Sequence, residues 1–245
     1  MTGGEPPGRG VNDGFMGKIV TTAKNQGKRF SEAGRPFVPR PKKEIEAMID
    51  FFQRTYPDAR CGLDFRDGYE LLMATILSAQ CQDKTVNLAT TKLFRLFPNV
   101  ATLAKANLAE VEDCVRVCGF FRQKAKSLVD CAQAVTARFG GQIPATLEEL
   151  VSLRGVGRKT ANVVLGNVFG VPGITVDTHV KRISLRLGLT NNEEPERIEL
   201  DLMEVIPQAI WTDFSHQVIA HGRTLCQARK PQCSQCQLTL CQARA

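Results

Sequence analysis

A lysine and an aspartate eighteen residues apart, and four cysteines within sixteen residues, are the groups of this 245-residue chain best placed to do chemistry. Lys159 belongs to Leu153-Arg154-Gly155-Val156-Gly157-Arg158-Lys159-Thr160, where two helices meet at a Gly-Val-Gly turn. The glycines permit backbone angles that other residues avoid, and they allow another backbone close approach. The second helix then opens with free N–H groups and a partial positive charge, which suit a phosphate without reading bases. Arg158 and Lys159 add cationic side chains at that end. For Lys159, the helix start, the neighbouring Arg158 and an expected partial burial would all lower the amine pKa. A neutral amine can attack carbon and form a Schiff base. Asp177, in Val176-Asp177-Thr178-His179, follows a Pro172-Gly173 turn and opens a further helix as its N-cap. An amine nucleophile and a rigidly held carboxylate beside a sugar suit cleavage of an N-glycosidic bond, the carboxylate stabilising a positive, sugar-like transition state.

The four cysteines, Cys226-x6-Cys233-x2-Cys236-x4-Cys241, have the density of a metal site. Thiolates this close hold a zinc ion or an iron–sulfur cluster, and one Cys-x2-Cys pair alone does not favour a zinc ribbon. Cys61, Cys81, Cys114, Cys118 and Cys131 are spread through apolar, helix-patterned sequence and read as small buried hydrophobes. With no export signal in the sequence, clustered thiols point to metal rather than disulfides.

These groups need rigid elements to hold them, and the pattern from Pro41 onward is helical nearly throughout. Helices are expected at Pro41–Tyr56, from Asp67 through Leu77, at 83–97, from an Asn107/Glu110 cap to Gly119, at 121–139 and from a Thr146/Glu149 cap. Further helices are expected at 158–169, 178–187, 195–205 and 212–222. No strand alternation or internal repeat is visible, so the fold class is all-α with about ten helices. Residues 1–40 read as a flexible basic arm rich in Gly and Pro. The formal net charge is +7, but residues 1–43 hold nine Lys or Arg against three Asp or Glu. The remainder is bipolar: 154–186 and 222–245 are basic, and 193–213 is acidic. This distribution favours a polyanionic partner. The longest charge-free apolar stretch, Leu71 to Gln80, is too short to cross a bilayer.

With these landmarks, and with Leu77-Ser78-Ala79-Gln80 and His221-Gly222-Arg223, the chain resembles the endonuclease III family of DNA glycosylases from about residue 41 to its C-terminus. The resemblance implies two helical domains with a DNA cleft between them. One is a six-helix barrel over 61–171 carrying the helix–hairpin–helix. The other, from 41–60 and 172–245, holds a 4Fe–4S cluster on Cys226, Cys233, Cys236 and Cys241. It implies a monomer acting on double-stranded DNA that carries damaged pyrimidines or abasic sites. Lys159 is then the nucleophile and Asp177 the essential carboxylate, and a β-elimination follows Schiff-base formation. The DNA-contacting residues would be Gln80 and Phe120 as inserting residues, Gly155, Val156, Gly157 and Arg158 on the hairpin, and Arg229 and Lys230 on a loop shaped by the cluster. His179 is expected to be a structural hydrogen-bonder that also faces DNA. Without a membrane segment or export signal, the expected location is the cytoplasm, at the nucleoid of a bacterium, with organellar or nuclear targeting by the arm left open.

Sibling branches fit less well, because adenine glycosylases lack the lysine at 159, the thymine-mismatch branch carries tyrosine there, and the 8-oxoguanine branch usually lacks the cluster. Three departures from the family pattern stand out: four residues rather than five before Cys241, Arg154 in place of proline, and Phe120 where a smaller aliphatic wedge is commoner. The competing classes are a non-catalytic DNA-damage-binding module and an iron–sulfur redox protein.

Overall fold

The computed structural model describes residues 40–243, so the arm read over 1–40 lies outside the described residues except for Arg40. Eleven α-helices and one short 3-10 turn make up the described residues, with no strand among them. Helix α1 is Lys42–Thr55, α2 Gly68–Leu77, α3 Asp83–Leu96, α4 Val100–Ala104, α5 Leu108–Val115 and α6 Phe121–Phe139. Then come α7 Leu147–Val151, α8 Arg158–Val168, α9 Thr178–Leu187, α10 Pro195–Val205 and α11 Trp211–Thr224. Two expectations need correction. Helix α4 is additional: its five residues are too few to show a period, and it is set by an Asn99/Thr102 capping box. Helix α5 ends at Val115 rather than Gly119, and Asn107 caps it through the Ala109 N–H. The left-handed residue that turns the chain into α6 is Phe120, not the glycine before it.

Two buried cores organise the helices. The first is built on α2, whose residues Tyr69 to Leu77 are all buried, as expected of a helix apolar on every side. Helices α3, α6 and α8 pack against it, and Leu93, Leu103, Leu128, Leu150 and Val164 complete the core. The second core joins α1 to α9, α10 and α11 through Met48, Phe52, Ile183, Leu202, Phe214 and Val218. Phe52 and Phe214 meet edge to face at 5.7 Å, a favoured aromatic geometry. Arg40 is fixed to this second group, donating to Leu187 O at 2.9 Å and Leu240 O at 2.7 Å.

Polar ties run between the two cores. Glu199, buried on α10, accepts from Arg158 at 2.7 and 3.0 Å and from Asn162 Nδ2 at 3.0 Å, both on α8. Asn162 Nδ2 also donates to Ile174 O at 3.0 Å. Arg223 on α11 donates to Asp83 on α3 at 2.7 Å. Helix α11 also touches α8 at Gly166, where a Cβ would come within 2.5 Å of Thr212 Oγ1.

Candidate functional site

The hairpin between α7 and α8 is built on one residue with positive φ and one plug. Gly155 takes φ +81° and lies so close to Ser127 and Ile76 that a Cβ would come within 3.1 Å of one and 3.3 Å of the other. Val156 is buried, and its N–H donates to Leu153 O at 3.2 Å. It therefore anchors the turn. Gly157 is exposed, with open space around it, and as N-cap it makes no side-chain cap. The first-turn amides of α8 thus face outward with no side chain of Gly157 to accept them.

Lys159 is exposed in that first turn, so the partial burial expected of it is not found. Its charge acts on Asp177. Asp177 caps α9, its Oδ1 accepting the His179 and Val180 N–H groups at 2.8 Å each. Its Oδ2 meets His179 Nδ1 at 2.9 Å. The Asp177 side chain is 14% exposed. Burial pushes its carboxyl up. The His179 ring, the Val180 amide and the positive charges of His179 and Lys159 outweigh that and hold it below its ordinary value. Asp177 is therefore an ionised, immobile carboxylate within electrostatic reach of an exposed amine. Arg158 does not stand beside Lys159 as a free cation, because Glu199 holds its guanidinium in a two-pronged pair.

Gln80 and Phe120 are the two non-glycine residues with positive φ among the described residues, at 53° and 54°. Gln80 is exposed and Phe120 is 72% exposed. Left-handed backbone is costly for such residues, and strain of this kind gathers at functional positions. Arg154, where the family usually has proline, is exposed and pairs with Asp130 at 3.2 Å.

The four cysteines line one pocket with Ile183, Arg186, His221 and Leu238, partly open to solvent. Cys241 reaches this pocket despite the short spacing before it. Arg186 donates to Cys226 Sγ at 3.1 Å, so a cation already faces one of the sulfurs. Among the described residues, no three His, Cys, Asp or Glu side chains form a group that could hold a single metal ion. Four soft sulfur donors around a space, with a guanidinium at its edge, are a donor set that suits an iron–sulfur cluster or a zinc ion. His221 is buried beside the pocket and meets the Tyr56 hydroxyl at 2.9 Å. Burial, with the Arg182 charge adding to it, pushes the His221 ring down to about 4.

Several residues of the site escaped sequence reasoning. Arg182 and Arg186, one turn apart on α9, clamp the loop that follows α11. Arg182 donates to Gly222 O at 3.2 Å and Cys226 O at 2.9 Å. Arg186 donates to Gln227 O and Ala228 O, each at 3.1 Å. The i, i+4 arginine spacing was a visible signal, but the carbonyls it serves lie some forty residues away. Arg229 and Lys230 are exposed on the clamped loop. Trp211 is buried and donates to Ile206 O at 2.8 Å, a packing role. Among the described residues, no helix is long and apolar enough to cross a membrane.

Comparison with known proteins accounts for this arrangement. Residues 73–208 match the HhH-GPD superfamily base excision DNA repair proteins. Endonuclease III of Synechocystis sp. is 48% identical over 80% of this chain and 90% of its own length. That of Bacillus subtilis is 39% identical over 81% of this chain and 92% of its own. A trapped endonuclease III–DNA covalent intermediate superposes with a TM-score of 0.79 at 40% identity, covering 82% of this chain and 96% of that one. A thermostable thymine-DNA glycosylase shares the fold, with a TM-score of 0.73 at 23% identity, 81% of this chain and 95% of that one. The exposed lysine at a hairpin, the capped carboxylate and the four-cysteine pocket thus sit in a chain that belongs to the endonuclease III family, within the HhH-GPD superfamily of base excision repair proteins.

Proposed function

We propose that this chain, a DNA glycosylase and abasic-site lyase of base excision repair, excises oxidised pyrimidines with Lys159 as nucleophile and Asp177 as the electrostatic carboxylate. The observation that carries the assignment is the placement of an exposed Lys159 in the first turn of α8 and of a rigidly held, capping Asp177 at the start of α9, with the Lys159 charge among those that hold the Asp177 carboxyl below its ordinary value. The duplex seats its backbone on the first turn of α8 and on the loop bearing Arg229 and Lys230. Gln80 and Phe120 fill the space left by an extruded nucleotide, and a damaged base is easier to extrude than a paired one. As the base leaves, Asp177 stabilises positive charge on the sugar and Lys159 Nζ bonds to C1′. The Schiff base acidifies the C2′ proton, whose loss expels the 3′ phosphate. A DNA complex of an endonuclease III at 40% identity, trapped as a covalent intermediate, supports amine chemistry of this kind.

Cys226, Cys233, Cys236 and Cys241 would hold a 4Fe–4S cluster, supported by their shared pocket and by Arg186 on the Cys226 sulfur. Bound there, the cluster would supply a rigid support for residues 227–232. The two cores correspond in this reading to a barrel lobe over 61–171 and a cluster lobe over 41–60 and 172–245, with DNA in the cleft between them. The protein acts as a monomer on double-stranded DNA.

The test is borohydride trapping on a duplex with one thymine glycol and on an abasic duplex, wild type beside Lys159→Ala. A covalent adduct on at least one duplex with wild type, and none with the variant, is expected. An adduct that survives the substitution assigns the amine elsewhere. No adduct on either duplex favours the binding-module reading.

A further inference from the structure

Helix α6 begins in a way that, among the α-helices of the described residues, only α8 shares: neither a capping side chain nor an acidic residue serves its first turn. The Phe121, Arg122 and Gln123 N–H groups are left without a capping acceptor, and the Lys124 N–H closes the turn on Phe120 O at 3.0 Å. The side chains at this end are basic. Arg116 and Arg122 lie over the Phe121 ring, 5.5 and 5.4 Å from its centroid, which holds both guanidiniums beside the helix start. Arg116 shares Asp113 with Lys92. Arg122 is exposed, and among the described residues no carboxylate pairs with it. Lys124 stands behind them at 7% exposure, its Nζ without a hydrogen-bond partner among the described residues. A side chain in the first turn of a helix leans back over the residues before it, so this ammonium lies under the turn that carries Phe120, and its charge acts on Cys118 there. A buried, unpaired ammonium is costly, and a cation at a helix N-terminus is unfavourable. An anion at the same end offsets both.

We propose that the start of α6 is a second phosphate site, where a phosphodiester of the duplex accepts hydrogen bonds from the first-turn amides and from the Arg122 guanidinium. The inference rests on the reading of this chain as a DNA glycosylase whose Phe120 enters the base stack. A residue whose ring enters the stack carries its own backbone to the edge of the strand. The amides that follow Phe120 then come within reach of a phosphate flanking the gap. Helix-start amides and an exposed guanidinium are the donors that suit such an oxygen. Lys124 does not touch the phosphate, because its Nζ is buried; it raises the positive potential from behind. Phosphate contacts fix register rather than read bases, so this site sets where along the strand Phe120 enters. Ser127, one turn after Lys124, lies so close to Gly155 of the hairpin that a Cβ on the glycine would come within 3.1 Å of it. The starts of α6 and α8 therefore open from one packed junction, and the two phosphate grips are held in fixed relation.

Affinity is measured for full-length wild type, Arg122→Ala and Lys124→Met on a duplex with an uncleavable abasic analogue. The same duplex is then made with one neutral methylphosphonate at each phosphate flanking the analogue in turn. One such replacement should weaken wild type by about tenfold, the scale of a charge-assisted hydrogen bond, and Arg122→Ala should lose most of that sensitivity. Arg122→Ala should also reduce the slope of log affinity against log salt by about 1. Lys124→Met removes a buried, unpaired charge, so it should keep or raise the denaturation midpoint while weakening duplex binding. A methylphosphonate effect equal in wild type and Arg122→Ala overturns the proposal, as does an unchanged salt slope in Arg122→Ala or an unchanged affinity in Lys124→Met. Thermal stabilisation by inorganic phosphate that Arg122→Ala loses, with no methylphosphonate effect, assigns the site to a free anion and overturns it too. These readouts need neither excision nor an amine adduct, so their failure is distinct from failure of the trapping experiment.

Discussion

Asp177 is a helix cap and the proposed electrostatic carboxylate, and Asp177→Asn separates the two. Asparagine caps about as well as aspartate, so the fold stays intact. Turnover should fall by about 10²–10³, the usual cost of removing a preorganised electrostatic partner, and single-turnover excision on a lesion duplex measures it. A fall of only a few-fold would make Asp177 a cap alone. Stability carries the matching signature. The folded carboxyl lies below its ordinary value, so its ionisation adds stability that is fully present above the ordinary carboxylate pKa. That contribution is lost as pH falls through the depressed folded value. The stability gap between wild type and Asp177→Asn should be constant at neutral pH and close only in that acid window, as denaturant titrations across pH would show. Phe120 gives a signature of opposite signs. Its left-handed backbone costs about 1–2 kcal/mol for a residue with a Cβ, and glycine removes that cost at some entropic expense. Phe120→Gly should therefore match or exceed wild type in unfolding free energy while losing affinity for a lesion duplex. A variant weakened in both would make Phe120 an ordinary packing residue.

Helices α8 and α9 carry the proposed chemistry at their first turns and are anchored through what lies behind. Glu199 holds Arg158 and Asn162 on α8, so Glu199→Ala leaves the Asn162 amide with Ile174 O as its remaining acceptor and the Arg158 guanidinium without its carboxylate. The cost should be about 1–3 kcal/mol, read as a lower denaturation midpoint, and a change within error would show the tie to be redundant. On α9 the proposed carboxylate caps one end, while Arg182 and Arg186 clamp the cysteine loop towards the other. Arg186→Ala should lower the iron bound per chain and the visible absorption, since it removes the cation from Cys226 and frees the carbonyls of Gln227 and Ala228. Full iron content in that variant would limit Arg186 to holding the loop. These ties also explain what could be read from sequence. Helix α6 coincides with its expected span, and α10 does so with Pro195 at its start, because long periodic segments announce themselves. Helix α4 escaped because five residues show no period. Lys159 and Asp177 were visible because each opens a helix after a turn. The pairing of Arg158 was not, because Glu199 is 41 residues away and only tertiary packing brings it near.

Two cores joined by few polar ties leave the charge of the chain unevenly placed, and that has a measurable consequence. Residues 1–39 hold six Lys or Arg and three Asp or Glu, so they contribute +3 of the formal +7. If this segment contacts the duplex, it does so through counterion release, which is read in the salt dependence of binding. Deleting residues 1–39 should then reduce the slope of log affinity against log salt by up to about 3, with the loss of affinity greatest at low salt. Trapping by Lys159 at saturating DNA should be unchanged, because saturation removes the difference in affinity. The boundary of the deletion matters. Arg40 donates to Leu187 O and Leu240 O, tying the start of α1 to the end of α9 and to the residue before Cys241. A deletion that stops at residue 39 therefore keeps this tie, whereas Arg40→Ala removes it. The first should change the salt slope and leave the denaturation midpoint in place. The second should lower the unfolding free energy by about 1–3 kcal/mol, the cost of leaving two carbonyls without their donor, and change the slope by no more than about one phosphate contact. An unchanged slope in the deletion would show that the basic segment stays off the duplex, leaving binding to the hairpin and to the loop of Arg229 and Lys230.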